Sequence, residues 1–127
     1  MKDITGLEDI QLFVDAFYSK VREDVLIGPV FADVIKDWQP HLDKMYAFWN
    51  AVLFGAPGFK GNPFAKHAPL PIAQEHFGAW LELFSETIDA NFAGPKADEA
   101  RQKAGIMATM FISKLDKMRS GSGYTIV

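Results

Sequence analysis

The chain has 127 residues, 49% hydrophobic and 23% charged, with a net charge of -3. That is enough for one domain with one core, too few for two ordinary domains, and unlike a disordered chain. A slight acidic excess offers nothing to neutralise phosphates, so no nucleic-acid partner is expected. The absence of cysteine excludes disulfides, thiolate metal ligands and a cysteine nucleophile.

The opening MKDITGLEDI is polar and acidic, without the basic and apolar regions of a secretory signal. Apolar runs such as residues 45–49 and 51–56 are too short to span a bilayer, so no membrane partner is expected. Both features lead us to expect a cytoplasmic protein.

Ile10, Phe13, Val14, Phe17 and Val21 recur at a helical period and predict a helix over residues 7–23. Thr5 and Glu8 have the Thr-x-x-Glu spacing of a capping box in front of it. Gly28-Pro29 breaks the chain, and residues 30–35 form a short helical piece. A third helix starts within residues 37–40, with Pro40 tolerated in its first turn, and ends at Gly55. Met45, Phe48, Trp49 and Val52 lie on its apolar face, with His41 four residues before Met45.

Residues 55–71 hold Gly55, Pro57, Gly58, Gly61, Pro63, Pro69 and Pro71, which oppose a long helix. So long a loop in a small domain is often functional, and His67 sits in it. From about Ile72 the helical period returns through Phe77, Trp80, Leu81, Phe84 and Ile88, with Trp80 expected to be buried. Gly94-Pro95 ends that helix and opens a last one over residues 96–118. It should bury Ala100, Ala104, Met107, Phe111 and Leu115. Residues 120–127 begin Ser-Gly-Ser-Gly and read as a flexible tail after one domain of residues 1–119. With no strand-like alternation, the fold class is all-α.

His41, His67 and His76 are the leading candidates for a metal site, since cysteine is absent. No HExxH motif and no suitably spaced Glu-x-x-His pair supports a zinc hydrolase or a di-iron bundle. Proline punctuation around His67 would fix the backbone direction of a ligand offered to a metal; the alternative is an ordinary surface-loop histidine. His76 reads as a helix-start residue. The 11 Phe, 3 Trp and 3 Tyr serve either as core volume or as walls around a large flat apolar ligand.

Six blocks in order carry a resemblance. They are Phe17-Tyr18-Ser19-Lys20-Val21-Arg22, Gly28-Pro29-Val30-Phe31, Trp38-Gln39-Pro40-His41, Phe48-Trp49 with Leu53-Phe54-Gly55, Phe59-Lys60-Gly61-Asn62-Pro63 leading to His67, and the run from His76 to Phe84. Together they resemble the group III truncated haemoglobins of bacteria. The resemblance implies a shortened globin fold, a two-on-two helical sandwich around haem b, with His67 as the proximal iron ligand. It implies Tyr18, His41 and Trp80 on the distal side, Phe31 packed on the haem ring, Met45 one turn after His41, and Phe48 and Trp49 as pocket walls. Many relatives place a basic residue where this chain has Ala79, so a haem propionate would need another cation, with Lys44 and Lys66 as candidates.

The function implied is binding of a diatomic gas (oxygen, nitric oxide or carbon monoxide) at a pentacoordinate iron. The alternative is an enzyme on the same scaffold, a nitric oxide dioxygenase or a peroxidase-like catalyst, which would need an external reductase or other electron donor. A third class, a haem-free helical interaction module, predicts no haem absorbance at all.

Overall fold

The computed structural model describes residues 1–59 and 72–119. Among the described residues it contains five helices and no strand: α1 (Leu7–Glu23), α2 (Gly28–Val34), α3 (Trp38–Phe54), α4 (Gln74–Asn91) and α5 (Pro95–Arg119). The expected tail, residues 120–127, lies outside the described residues.

The helices form two pairs laid across one another. α1 packs beside α3 and α4 beside α5, while α1 also contacts α4 and α3 contacts α5. The core lies where the pairs cross. Ile10, Phe13, Val14, Phe17 and Val21 of α1 meet Trp49 and Leu53 of α3, Phe84 and Ile88 of α4, and small residues of α5. The α5 contribution is Ala97, Ala100 and Ala104, each buried. Alanine at this spacing lets a long helix approach closely without large side chains of its own. Met107 and Phe111, expected to be buried, are only half-buried, and Ala108 is buried beside them.

The start of α1 corrects the expected cap. The residue before the helix is Gly6, which offers no side chain to cap it, and Thr5 does not pair with Glu8. Instead the Thr5 backbone N–H and hydroxyl both donate to Asp9 Oδ2, each at 2.9 Å. The helix begins one residue later than the Thr-x-x-Glu pattern suggests, so Asp9, not Glu8, is the side chain that reaches back.

Two further ends are set by identifiable residues. Gly55 closes α3 in the left-handed region at φ 66, with its N–H donating to the Ala51 carbonyl. At the start of α5, Asp3 accepts from the N–H groups of Lys96 and Ala97, both at 2.9 Å. A residue from the other end of the chain thus satisfies two exposed helix donors. Gly94, at φ 139, lets the chain pass beside it: a Cβ there would lie 2.6 Å from the Asp3 carboxyl carbon. The Ala93 N–H donates to the Lys2 carbonyl at 3.0 Å, completing the clasp.

Candidate functional site

One face of α3 is apolar without being buried. His41, Met45, Phe48 and Val52 follow one another at i, i+4, i+7 and i+11, so they share a stripe, and all four are half-buried. The neighbouring stripe, Trp49 and Leu53, is buried. The apolar surface of α3 is thus split: among the described residues one stripe is closed by the helices around it and the other is left partly open.

At the head of that opening stands Tyr18, 7% exposed, on α1. Its ring centroid lies 5.0 Å from His41, 5.9 Å from Phe31 and 5.7 Å from Trp38. Phe31 and Trp38 stack at 6.4 Å, and His41 meets Trp38 edge-on at 5.7 Å. Three helices therefore converge on one tyrosine. Burial pushes the Tyr18 hydroxyl well above the ordinary phenol range, so at neutral pH it keeps its proton and can donate it in a hydrogen bond. The Nε2 atom of His41 is also shielded from solvent.

Trp80 joins the same wall through Phe17, which touches Tyr18 at 4.9 Å and Trp80 at 5.6 Å. Expected to be buried, Trp80 is half-buried. One face of the indole stacks on Phe84 at 5.6 Å. Phe48 meets Trp49 at 5.5 Å and Phe59 at 5.2 Å. Trp49 itself turns inward, 4% exposed and stacked on Phe84 at 4.9 Å. Ala79 is half-buried and Lys44 exposed.

The structure therefore brings Tyr18, Phe31 and His41 into contact and sets Met45 and Phe48 on the His41 face of α3. Trp80 stands one aromatic ring away. His67 and Lys66 lie outside the described residues. Trp38 is central to the cluster, yet it carries no role in the sequence reading. Its only signal was its place in the block Trp38-Gln39-Pro40-His41, one turn before the histidine.

His76 does what its place at a helix start suggests. Its Nδ1 accepts from the Ala73 N–H at 2.9 Å, and its own N–H donates to the Ala73 carbonyl at 3.0 Å. That nitrogen is engaged in ending the loop and beginning α4.

Comparison with known proteins fits this arrangement. The family described as Bacterial-like globin matches residues 2–112. A group 3 truncated haemoglobin of Campylobacter jejuni is 34% identical over 115 residues, covering 87% of this chain and 91% of the relative. A group 2 truncated haemoglobin of Bacillus subtilis is 32% identical over 89 residues, covering 66% of this chain and 65% of the relative. The crystal structure of a group III truncated haemoglobin from Campylobacter jejuni superposes with a TM-score of 0.84 at 33% identity, over 91% of this chain and 95% of that one. The chain belongs to the bacterial-like globins and, within them, to the group III truncated haemoglobins.

A globin implies a haem, and the residues described here fit one. A porphyrin is a wide apolar plate and needs apolar walls; the half-buried stripe of α3, Phe31 and Trp80 supply them. Tyr18 and His41 add polar atoms where a small ligand would need a donor. Among the described residues no group of three or more His, Asp or Glu could hold a bare metal ion. A porphyrin iron does not require such a group, since it needs one side-chain ligand. Among the described residues no helix is long and apolar enough to cross a membrane.

Proposed function

We propose that this chain is a haem protein that binds a diatomic gas, oxygen, nitric oxide or carbon monoxide, at a pentacoordinate iron ligated by His67. The observation that carries this reading is the buried Tyr18 hydroxyl beside His41, at the head of an apolar face that the described helices leave half-open. Haem, when bound, would supply an iron able to take up a small ligand. With no cysteine in the chain a thioether-attached haem is excluded, which is consistent with haem b held by contacts and by His67.

The chain's own residues determine how firmly a ligand stays. Phe31, Met45 and Phe48 exclude water from the plate and its ligand. Tyr18 offers a proton to a ligand atom that carries partial negative charge, and the Trp80 indole N–H and a neutral His41 are further donors. In a dry pocket each such hydrogen bond stabilises the bound state by roughly 1–2 kcal/mol, about tenfold in the release rate.

Nitric oxide dioxygenation or peroxidase-like turnover is the second reading. The same donor set favours it, because donors beside a ligand also polarise an O–O bond; an external reductant would complete the cycle. We place the protein in the cytoplasm.

The test is the visible spectrum of the purified protein, ferric and reduced, for the parent and for His67→Ala. The reading predicts a strong Soret band in the parent, altered or lost in the variant. A parent that takes up no haem when it is supplied would end the proposal.

A further inference from the structure

A cleft runs between α1 and α3. The two helices are antiparallel there. Asp15 accepts a hydrogen bond from the Tyr46 hydroxyl at one end, and the Arg22 guanidinium lies 4.8 Å above the Trp38 ring at the other. Asp15 and Arg22 are seven residues apart on one helix face, which separates the two ends by about 10 Å. Tyr18 and Leu42 lie between them, and Ser19 lines the α1 side. The volume is about 250 Å³, below the range of sites for drug-sized ligands, so the cleft suits a single ring with its substituents.

The two ends differ chemically. Tyr46 and Asp15 already satisfy one another, and burial, followed by the Asp15 bond and charge, pushes the tyrosine up to about 12. Arg22 is exposed, and among the described residues no carboxylate lies within ion-pair distance of it. The guanidinium lies over Trp38, and its N–H groups can take a carboxylate in the two-pronged geometry that arginine favours. The surface between the two ends is aromatic and aliphatic. An inorganic anion would use Arg22 and leave that surface in water. A cation would be repelled by Arg22 and would find Asp15 engaged.

We infer that this cleft is a binding site for a small aromatic carboxylate, with Arg22 taking the carboxylate and the ring lying over Leu42 between Trp38 and Tyr46. A para-hydroxyl on the ring would reach the Tyr46–Asp15 end, where Gln39 already donates to the tyrosine oxygen and the Asp15 carboxylate is the acceptor left to it. The site lies beside the α3 stripe of the proposed haem pocket and shares Tyr18 and Trp38 with the aromatic cluster at its head.

Calorimetric titration of the haem-loaded full chain with para-hydroxybenzoate tests this. The parent should show one saturable site of about millimolar affinity or tighter. Arg22→Gln, a surface change, should weaken binding by at least about tenfold. Leu42→Trp should abolish it by filling the cleft from the opposite helix. Para-cresol, the same ring without the carboxylate, should bind at least about tenfold more weakly to the parent. No saturation in the parent would overturn the proposal. So would equal affinity in Arg22→Gln, which is also what attachment of the probe to the iron would give, and which would leave Arg22 as a clamp on Trp38 only.

Discussion

The two faces of α3 are built from similar residues and have opposite fates. On one, Trp49 stacks on Phe84 and meets Phe13, and Leu53 is sealed at 3% exposure. On the other, Met45, Phe48 and Val52 are equally apolar yet half-buried, beside a buried tyrosine and the shielded nitrogen of His41. A sealed face needs only its own chain for stability. A half-open apolar face keeps unfavourable contact with water until something covers it. On the proposed function, the difference separates residues that hold the fold from residues that would hold a ligand, although hydrophobicity along the sequence ranks them alike.

The sharpest way to test that separation is to truncate one aromatic on each side and compare the chain with and without haem. Phe84 is 1% exposed and touches the rings of Phe13, Phe17, Trp49 and Trp80. Phe84→Ala should cost about 3–5 kcal/mol of unfolding free energy, by nearly the same amount in the haem-free and haem-loaded chains. Phe48→Ala should cost less than about 2 kcal/mol without haem, because that ring is only partly buried, and visibly more with haem present. Denaturant midpoints for both variants in both states would show it. Equal losses for Phe48→Ala with and without haem would remove that stripe from the pocket.

Tyr18 belongs to both sides, since it packs on Phe17 and faces His41. Tyr18→Phe keeps the packing and removes only the donor. Oxygen release measured by stopped flow should become about tenfold faster with little change in unfolding midpoint. An unchanged rate alongside a lower midpoint would make the tyrosine a structural residue only.

Much of the fold was legible from periodicity and punctuation. The bounds of α1 follow from five apolar residues at helical spacing, and Gly55 ends α3 because a left-handed turn there suits glycine. The family resemblance gathered Tyr18, Phe31 and His41, and the structure places their rings in contact. Other features depend on contacts distant in sequence. Periodicity puts Phe48 and Trp49 on one apolar surface; only the approach of α4, with Phe84, decides which of them is sealed. The capping residue of α5 is Asp3, more than ninety positions away, so no local pattern marks it. Met107 and Phe111 were expected inside because they share a helical period with Ala100, Ala104 and Leu115. Alanines carry the closest approach of α5, and the larger side chains sit beside that contact line.

The smallest effect expected concerns how acid divides the two regions. Asp3 and Asp9 hold the clasp where the chain's start meets α1 and α5. Burial pushes the Asp3 carboxyl up, but hydrogen bonds from the Lys96, Ala97 and Ile4 N–H groups and the Lys96 charge outweigh it, leaving the group below 3.8. Asp9 is lowered chiefly by the Lys2 hydrogen bond, against its burial, with Thr5 adding two more bonds. Both carboxyls thus titrate lower when folded than when unfolded. Their stabilisation is complete above the unfolded value near 3.8 and is lost as pH falls through the folded values, where the unfolded chain binds more protons. Asp3→Ala should therefore cost about 1 kcal/mol at neutral pH, and the gap from the parent should close below about pH 3.8. Tyr18, shifted upward by burial, keeps its proton throughout this range. Urea midpoints of parent and variant between neutral pH and pH 3, with amide exchange along α1, should show the clasp loosening before the contacts around Tyr18. A gap that stayed constant with pH would mean that Asp3 acts as a neutral cap and that its charge contributes nothing.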